Sequence, residues 1–362
     1  MFRVGIVENP MPAGSRDPEV LLNWILDTMA LIRRKSEDWA DEDGSGALGR
    51  IFREALLVDP LKGWDAREIG EVCGLSQTGT HHQMMKLRES GLVATDNNGK
   101  WHVHVLRGGS MKAAIGLVSV QAKAILEMRL SELSEFVIES ETRMSSPIDG
   151  DFDFSITISE PRPRREGDDS IDALVEDLGL KGGRAKDGDK IARKLMCELG
   201  ASHNPITILS LAEKFGESRS RVQRSVERMR GAGLVDRVPM IDRIAQDVFA
   251  GISRQYDGRG EGWLMTRGGL GRLDGKISSR LLKEVKEGTL SIEKVQKILG
   301  PVPLEEKRVL LNTIGGRMPF GYRMAGTNGS EVAERVMRRF ARSLGRLVTI
   351  ADRLDECLVS QD

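Results

Sequence analysis

Residues 69–93 read IGEVCGLSQTGTHHQMMKLRESGLV, and residues 211–235 read LAEKFGESRSRVQRSVERMRGAGLV. A shift of 142 residues aligns the two stretches without a gap. Gly74 falls on Gly216, Ser76 on Ser218, Lys86 on Arg228 and Arg88 on Arg230, and both stretches end in Gly-Leu-Val. Thr80, Met84 and Leu87 fall on Val222, Val226 and Met229. Those three positions are i, i+4 and i+7, so each triplet shares one helix face and predicts a buried seam. Cys73 falls on Phe215, which marks it as a packing position.

The surroundings of the first stretch complete a compact unit over 47–107. A helix runs from about Leu48 to Val58 and is broken by DPLKGWD. The helix AREIGEV follows the cap Asp65, and a Gly74-Leu75-Ser76 turn leads to the helix beginning at Gln77. Gly91 ends that helix. The β-prone runs LVAT and WHVHVLR flank Asp96-Asn97-Asn98-Gly99-Lys100, a hairpin turn. A second unit begins at 188 with the same helical order, but GLVDRVP is followed by a helical pattern. The Gly-rich segment 253–267 (SRQYDGRGEGWLMTR) is therefore read as its hairpin.

GLSQTGTHHQMMKLRESGLV resembles the helix-turn-helix segment of the winged helix-turn-helix regulators of the ArsR/MarR kind. GESRSRVQRSVERMRGAGLV resembles a second, more divergent copy. Together the two likenesses cover under a third of the chain. Thr80 departs from the family pattern, which prefers an apolar residue there, and Gly79 in mid-helix costs about 1 kcal/mol. The resemblance implies a mainly α fold with small β-hairpin wings, that is, tandem winged helix-turn-helix domains plus long helices. It implies duplex DNA as partner and transcriptional regulation as function. A helix after the wing in such regulators commonly pairs two chains, so the helical regions 111–144 and 330–358 suit a homodimer, the alternative being that they pack within the chain against 17–37; an effector of unspecified chemistry is admitted.

With the seams turned inward, the opposite face of the first helix carries Gln77, Thr78, His81, His82 and Met85, flanked by Lys86. The second carries Arg219, Ser220, Gln223, Arg224 and Glu227, flanked by Arg228. In the major groove Arg pairs with guanine and Gln with adenine, while flanking cations neutralise phosphate. Residues 218–230 hold five Arg against one Glu. Asn98 and Lys100 at the wing tip are placed to reach a backbone or minor groove. A basic helix face is equally what a solvated surface looks like, and winged helices also dock proteins. A tandem winged-helix interaction or chromosome-organisation accessory protein is thus the alternative function, with the acidic stretch 126–180 as an arm.

Other classes fall away. Lys+Arg and Asp+Glu are 54 each, so no global field marks a partner, although 126–180 carries 15 acids against 5 bases and 188–240 carries 10 bases against 6 acids. No run approaches the ~18 apolar residues of a membrane span, and the N-terminal apolar run is too short for a signal peptide. Cys73, Cys197 and Cys357 are odd in number and lack CxxC spacing, as expected of a cytoplasmic protein without a disulfide framework. Aromatics at 4% argue against a base-stacking platform of the single-strand-binding kind.

Four of the five histidines, His81, His82, His102 and His104, lie in the first unit. No thiol or carboxylate is spaced to complete a tetrahedron with them, so no metal and no cofactor is expected. GLGRLDGKIS at 269–278 fails the phosphate-loop spacing, with Leu270 and Ile277 at the decisive positions. No enzyme is therefore expected. A third reading, a small-molecule-sensing C-terminal region, requires a deep polar pocket within 241–329. The stretch 318–329 reads as no more than a Gly-rich loop.

The chain divides into an N-terminal helix (17–37) and acidic linker at 1–46, the first unit at 47–107, and a long helix (111–144), strand (152–158) and charged linker at 108–187. The second unit spans 188–275, and a helical region spans 276–362. That last region ends in a stripe from Val332 to Leu358 at steps of three and four.

Overall fold

A computed structural model describes residues 1–32, 46–98, 101–140, 153–163, 169–182 and 189–360. The protein is mainly helical, with small antiparallel sheets. The first run of elements is β1 (Arg3–Val7), α1 (Pro18–Thr28) and α2 (Gly46–Ile51), which passes into a π-helical turn at Phe52–Leu56. Then come β2 (Trp64–Asp65), α3 (Ala66–Val72), α4 (Gln77–Glu89), β3 (Val93–Asn98), β4 (Trp101–Leu106) and α5 (Met111–Ser131). The second run is β5 (Ser155–Ser159), α6 (Ser170–Asp177), α7 (Ile191–Gly200), α8 (Ile208–Phe215), α9 (Arg219–Gly231) and β6 (Val235–Pro239). Four helices follow, α10 (Ile241–Thr266), α11 (Gly275–Lys286), α12 (Ile292–Leu299) and α13 (Leu304–Thr313). β7 (Phe320–Met324) and α14 (Gly329–Val359) close the chain.

The two runs follow the same order of elements, apart from β2, whose place in the second run is held by the single bridge residue Ile206, and the four helices between β6 and β7. Side chains follow the match. Phe2, Val4, Ile6 and Glu8 stand where Phe154, Ile156, Ile158 and Glu160 stand, 152 residues on. Asp17 caps α1 by accepting from Glu19 N, and Asp169 caps α6 by accepting from Ile171 N. Beyond β7 the spacing becomes 218: Ser110 caps α5 as Asn328 caps α14. Buried Ala114, Val118, Ala122 and Leu126 correspond to buried Val332, Val336, Phe340 and Leu344. The change from 142 to 218 is the 76 residues inserted within the second hairpin.

The halves meet about a local two-fold. β1 pairs antiparallel with β5, with Gly5 opposite Thr157 and Ile6 opposite Ile156. Glu8 N donates to Phe154 O at 2.7 Å, and its mate Glu160 N donates to Phe2 O at 2.9 Å. Each phenylalanine seats on the glycine that ends its own half's α4 or α9. A Cβ on Gly91 would stand 2.9 Å from Phe2, and one on Gly233 would stand 3.6 Å from Phe154. α5 and α14 lie along each other and share one apolar core with both halves. The helices expected to pair two chains therefore bury their seams within one chain.

Each half holds a small sheet. In the first the strand order is β2-β4-β3, with Trp64 opposite His104 and Val93 opposite Leu106. In the second, β6 pairs with β7, Val235 opposite Met324, and Ile206 bridges Tyr322 on the far side. This corrects the sequence reading of the second hairpin. Residues 253–267 lie in and just beyond α10, which is interrupted at Gly260 (φ 75°), and the returning strand comes from the unexplained stretch 318–329. The boundary drawn at 275 therefore cuts through an insertion. α10–α13 bury their own core around Val248, Leu281, Val295 and Leu311, separate from the main one. Met240 N donates to Pro319 O at 2.8 Å and closes the strands at the point of insertion.

Helix ends also differ from the periodicity. α1 stops at Thr28 because Ala30 turns left-handed (φ 53°). α5 ends at Ser131, short of 144, because the following chain is claimed by the second half. Ile138 N donates to Gly200 O at 2.9 Å and Ser140 N to Thr327 O at 2.7 Å. No helix among the described residues is long and apolar enough to cross a membrane.

Candidate nucleic-acid interface

α4 is set by local chemistry. Gly74 takes φ 60°, which ends α3, and Ser76 Oγ accepts from Gly79 N at 3.2 Å to cap α4. Thr80, Met84 and Leu87 are buried, as the triplet requires. The hydroxyl of Thr80 donates to Ser76 O at 3.1 Å, so its polar atom is satisfied in the core. Gln77, Thr78, His81, His82 and Met85 are exposed on the opposite side, and Lys86 is half-exposed. None of the polar ones bonds through its side chain to another described residue. The hairpin beside the helix places Asn98 opposite Trp101 by backbone register. The side chain of Asn98, and Lys100 altogether, lie outside the described residues.

His104 belongs to the support of this face. It is buried, sits opposite Thr95, and its Nδ1 lies 2.9 Å from Thr95 Oγ1. Burial lowers its pKa, reinforced by Arg88, His102 and His81, against a smaller opposing pull from Asp65. Burial likewise raises the Cys73 thiol to about 11, with the Glu54 carboxylate second. Such a thiol packs and does not react at neutral pH. Among the described residues no three His, Cys, Asp or Glu side chains gather to hold a metal.

α9 repeats the buried seam with Val222, Val226 and Met229, but its outer side is differently placed. Arg219, Ser220, Gln223 and Arg224 are exposed. Ser220, Gln223 and Arg224 look across a cleft of about 630 Å3, whose other wall is Ser155 and Thr157 of β5 and Leu178–Leu180 after α6. Arg228 is not on a free flank. A Cβ on Gly182 would collide with its Nη1. Its Nη2 donates to Ser225 Oγ at 3.1 Å, and its buried Nε has no partner among the described residues. Burial, then the Arg224 charge, lowers its pKa. Two further arginines of the run are neutralised, Arg221 by Asp189 at 2.9 Å and Glu217 at 2.8 Å, and Arg230 by Glu227 at 2.7 Å.

The α4 residues are thus brought together on one open face, and the α9 residues, Arg219 apart, are turned toward β5. Sequence reading missed Ser155 and Thr157 as neighbours of α9. The matched Phe2–Glu8 and Phe154–Glu160 stretches were the signal that both halves begin with a strand laid near their own central helix. No protein-family model, no curated protein and no solved structure matches the chain.

Proposed function

We propose that the protein is a duplex-DNA-binding transcriptional regulator whose two halves each contain a winged helix-turn-helix unit, with α4 as the main reading helix. One observation carries this: Gln77, Thr78, His81 and His82 stand free on one face of a helix whose opposite face is locked into the core. The helix–strand–helix–helix–hairpin order of the first half, matched in the second except that the single bridge residue Ile206 replaces the strand, supports the fold assignment. α4 enters the major groove, where Gln77 and the histidines meet base edges and Lys86 meets phosphate. The second unit adds a phosphate contact from Arg219. Because α5 and α14 pair within the chain, one chain supplies the arrangement for which separate subunits ordinarily dimerise.

Random-site selection with the purified chain, followed by a salt titration on the selected duplex, tests the reading. The expected result is an enriched motif and an affinity that falls as salt rises, with a log–log slope of about −0.9 per phosphate contacted. No enrichment and no binding at low salt would end it. The protein-interaction reading has one observation in its favour. Leu117, Val120 and Met128 form an exposed apolar stripe on α5. A chain that selects no sequence but forms a complex through that stripe would favour it.

A further inference from the structure

The cleft beside α9 has a charge arrangement that the described residues do not balance. Arg224 and Arg228 are one helical turn apart and both line it. Neither forms an ion pair with a described carboxylate. The acids nearby are committed or peripheral. Glu227 accepts from Arg230 at 2.7 Å through one oxygen and from Tyr322 Oη at 3.2 Å through the other. Asp189, whose charge also reaches Arg228, accepts from Arg221 and from Ile191 N. Asp153 is exposed at the rim. Among the described residues the enclosed Nε of Arg228 has no acceptor.

The rest of the wall is suited to a small polar body. β5 alternates, with Ile156 and Ile158 in the core and Ser155 and Thr157 toward the cleft. Ser220 and Gln223 add a hydroxyl and an amide from α9, and the Leu178–Leu180 turn, its leucines buried in the core, closes the far side. The volume falls in the range of small-molecule pockets. A guanidinium offers paired donors to a phosphate, and two of them beside each other neutralise a dianion. Gly182 packs against the Arg228 guanidinium, so that group is reached from within the cleft.

We propose that this cleft is a binding site for a small phosphorylated metabolite, its phosphate between Arg224 and Arg228 and its hydroxyl-bearing body against Ser155, Thr157 and Ser220. The proposal does not rest on DNA binding.

Calorimetry and thermal melting of the full chain with ribose 5-phosphate, ribose and inorganic phosphate, against chloride at matched ionic strength, test it. Ribose 5-phosphate is expected to bind and to raise the melting temperature, inorganic phosphate to do so more weakly, and ribose not at all. Arg228→Ala and Arg224→Ala are each expected to weaken ribose 5-phosphate about tenfold or more. Their melting in chloride reports that they fold. Ser155→Leu is expected to reduce the preference for ribose 5-phosphate over inorganic phosphate. Wild-type shifts no larger than in chloride, or full binding by the folded double variant Arg224→Ala/Arg228→Ala, would overturn the proposal. So would displacement of ribose 5-phosphate by a short duplex, which would give these arginines to a DNA backbone.

Discussion

Gly5 and Thr157 face each other across the β1–β5 pair and are also each other's counterparts in the two halves of the chain. A position that pairs with its own equivalent lies on the axis relating the copies, so the local two-fold passes between these residues. They differ because each meets the turn that ends its own half's first helix. A Cβ on Gly5 would stand 2.8 Å from Ala30 Cβ, and a Cβ on Gly179 would stand 2.7 Å from Thr157 Cβ. Ala30 and Gly179 hold the same left-handed turn, φ 53° and 65°. One half puts its small residue on the strand and the other puts it on the turn.

That swap predicts compensation. Gly5→Ala is expected to cost about 1–3 kcal/mol through overpacking against Ala30. The double variant Gly5→Ala/Ala30→Gly is expected to recover most of the loss, because it restores the room and relieves a non-glycine residue at positive φ. Denaturant unfolding measures both, and a double variant no better than the single refutes the swap.

Arg129 of α5 is paired with Asp177 at the end of α6, both almost fully buried, and also reaches Glu132 at 3.0 Å. Burial pushes the Asp177 carboxyl up, opposed by the Arg129 charge. Arg129→Leu strands that acid and is expected to cost about 3–5 kcal/mol. α1 is three residues longer than α6, so counted back from the left-handed turns at Ala30 and Gly179, Thr28 stands where Asp177 stands, while Leu347 stands 218 residues beyond Arg129. Arg129→Leu/Asp177→Thr is therefore expected to be closer to wild type than the single variant, as read from unfolding midpoints.

Stability should fall as the pH drops below the ordinary histidine range. His104 has its pKa lowered in the folded state, so the unfolded chain binds the proton more readily and acid favours unfolding. The contribution is complete above about 6.5 and is lost as the pH descends from there toward the depressed folded value. His104→Gln is expected to flatten the melting-temperature profile across that window, and an unchanged profile would assign the pH dependence elsewhere.

The α4 face makes a prediction separable from the cleft. Gln77→Ala or His82→Ala is expected to weaken binding to the selected duplex by about 1–3 kcal/mol if the residue reads a base. Arg228→Ala, recessed behind Gly182, is expected to leave duplex affinity within the error of measurement. A gel-shift titration of the three variants distinguishes the two helices.

The helical insertion should be removable. β6 and β7 are already joined at its base by the Met240–Pro319 hydrogen bond, and α10–α13 have their own core. Replacing 241–318 by a two-residue Asn-Gly turn is expected to leave a folded chain with one cooperative transition. Loss of cooperative melting would mean that the second half depends on the insertion for its stability.

What the sequence alone determined is local. The three- and four-residue steps of Thr80, Met84 and Leu87 and of Val222, Val226 and Met229, the turns at Gly74 and Gly216, and the hairpin around Asn97 each state their structure within a few residues. They also state which side of each helix is polar, because burial of the other side is written in the same period. Only the tertiary structure decided what stands opposite those polar sides. β1 finds its partner some 150 residues away and β6 finds β7 across four helices. An alternating strand declares its buried face but carries no mark of the strand it will pair with. For the same reason the paired seams of α5 and α14 read as an interface between chains when they close within one. Arg228, in the register of a groove-facing cation, ends beneath Gly182 because the α6 turn of its own half is folded back beside it.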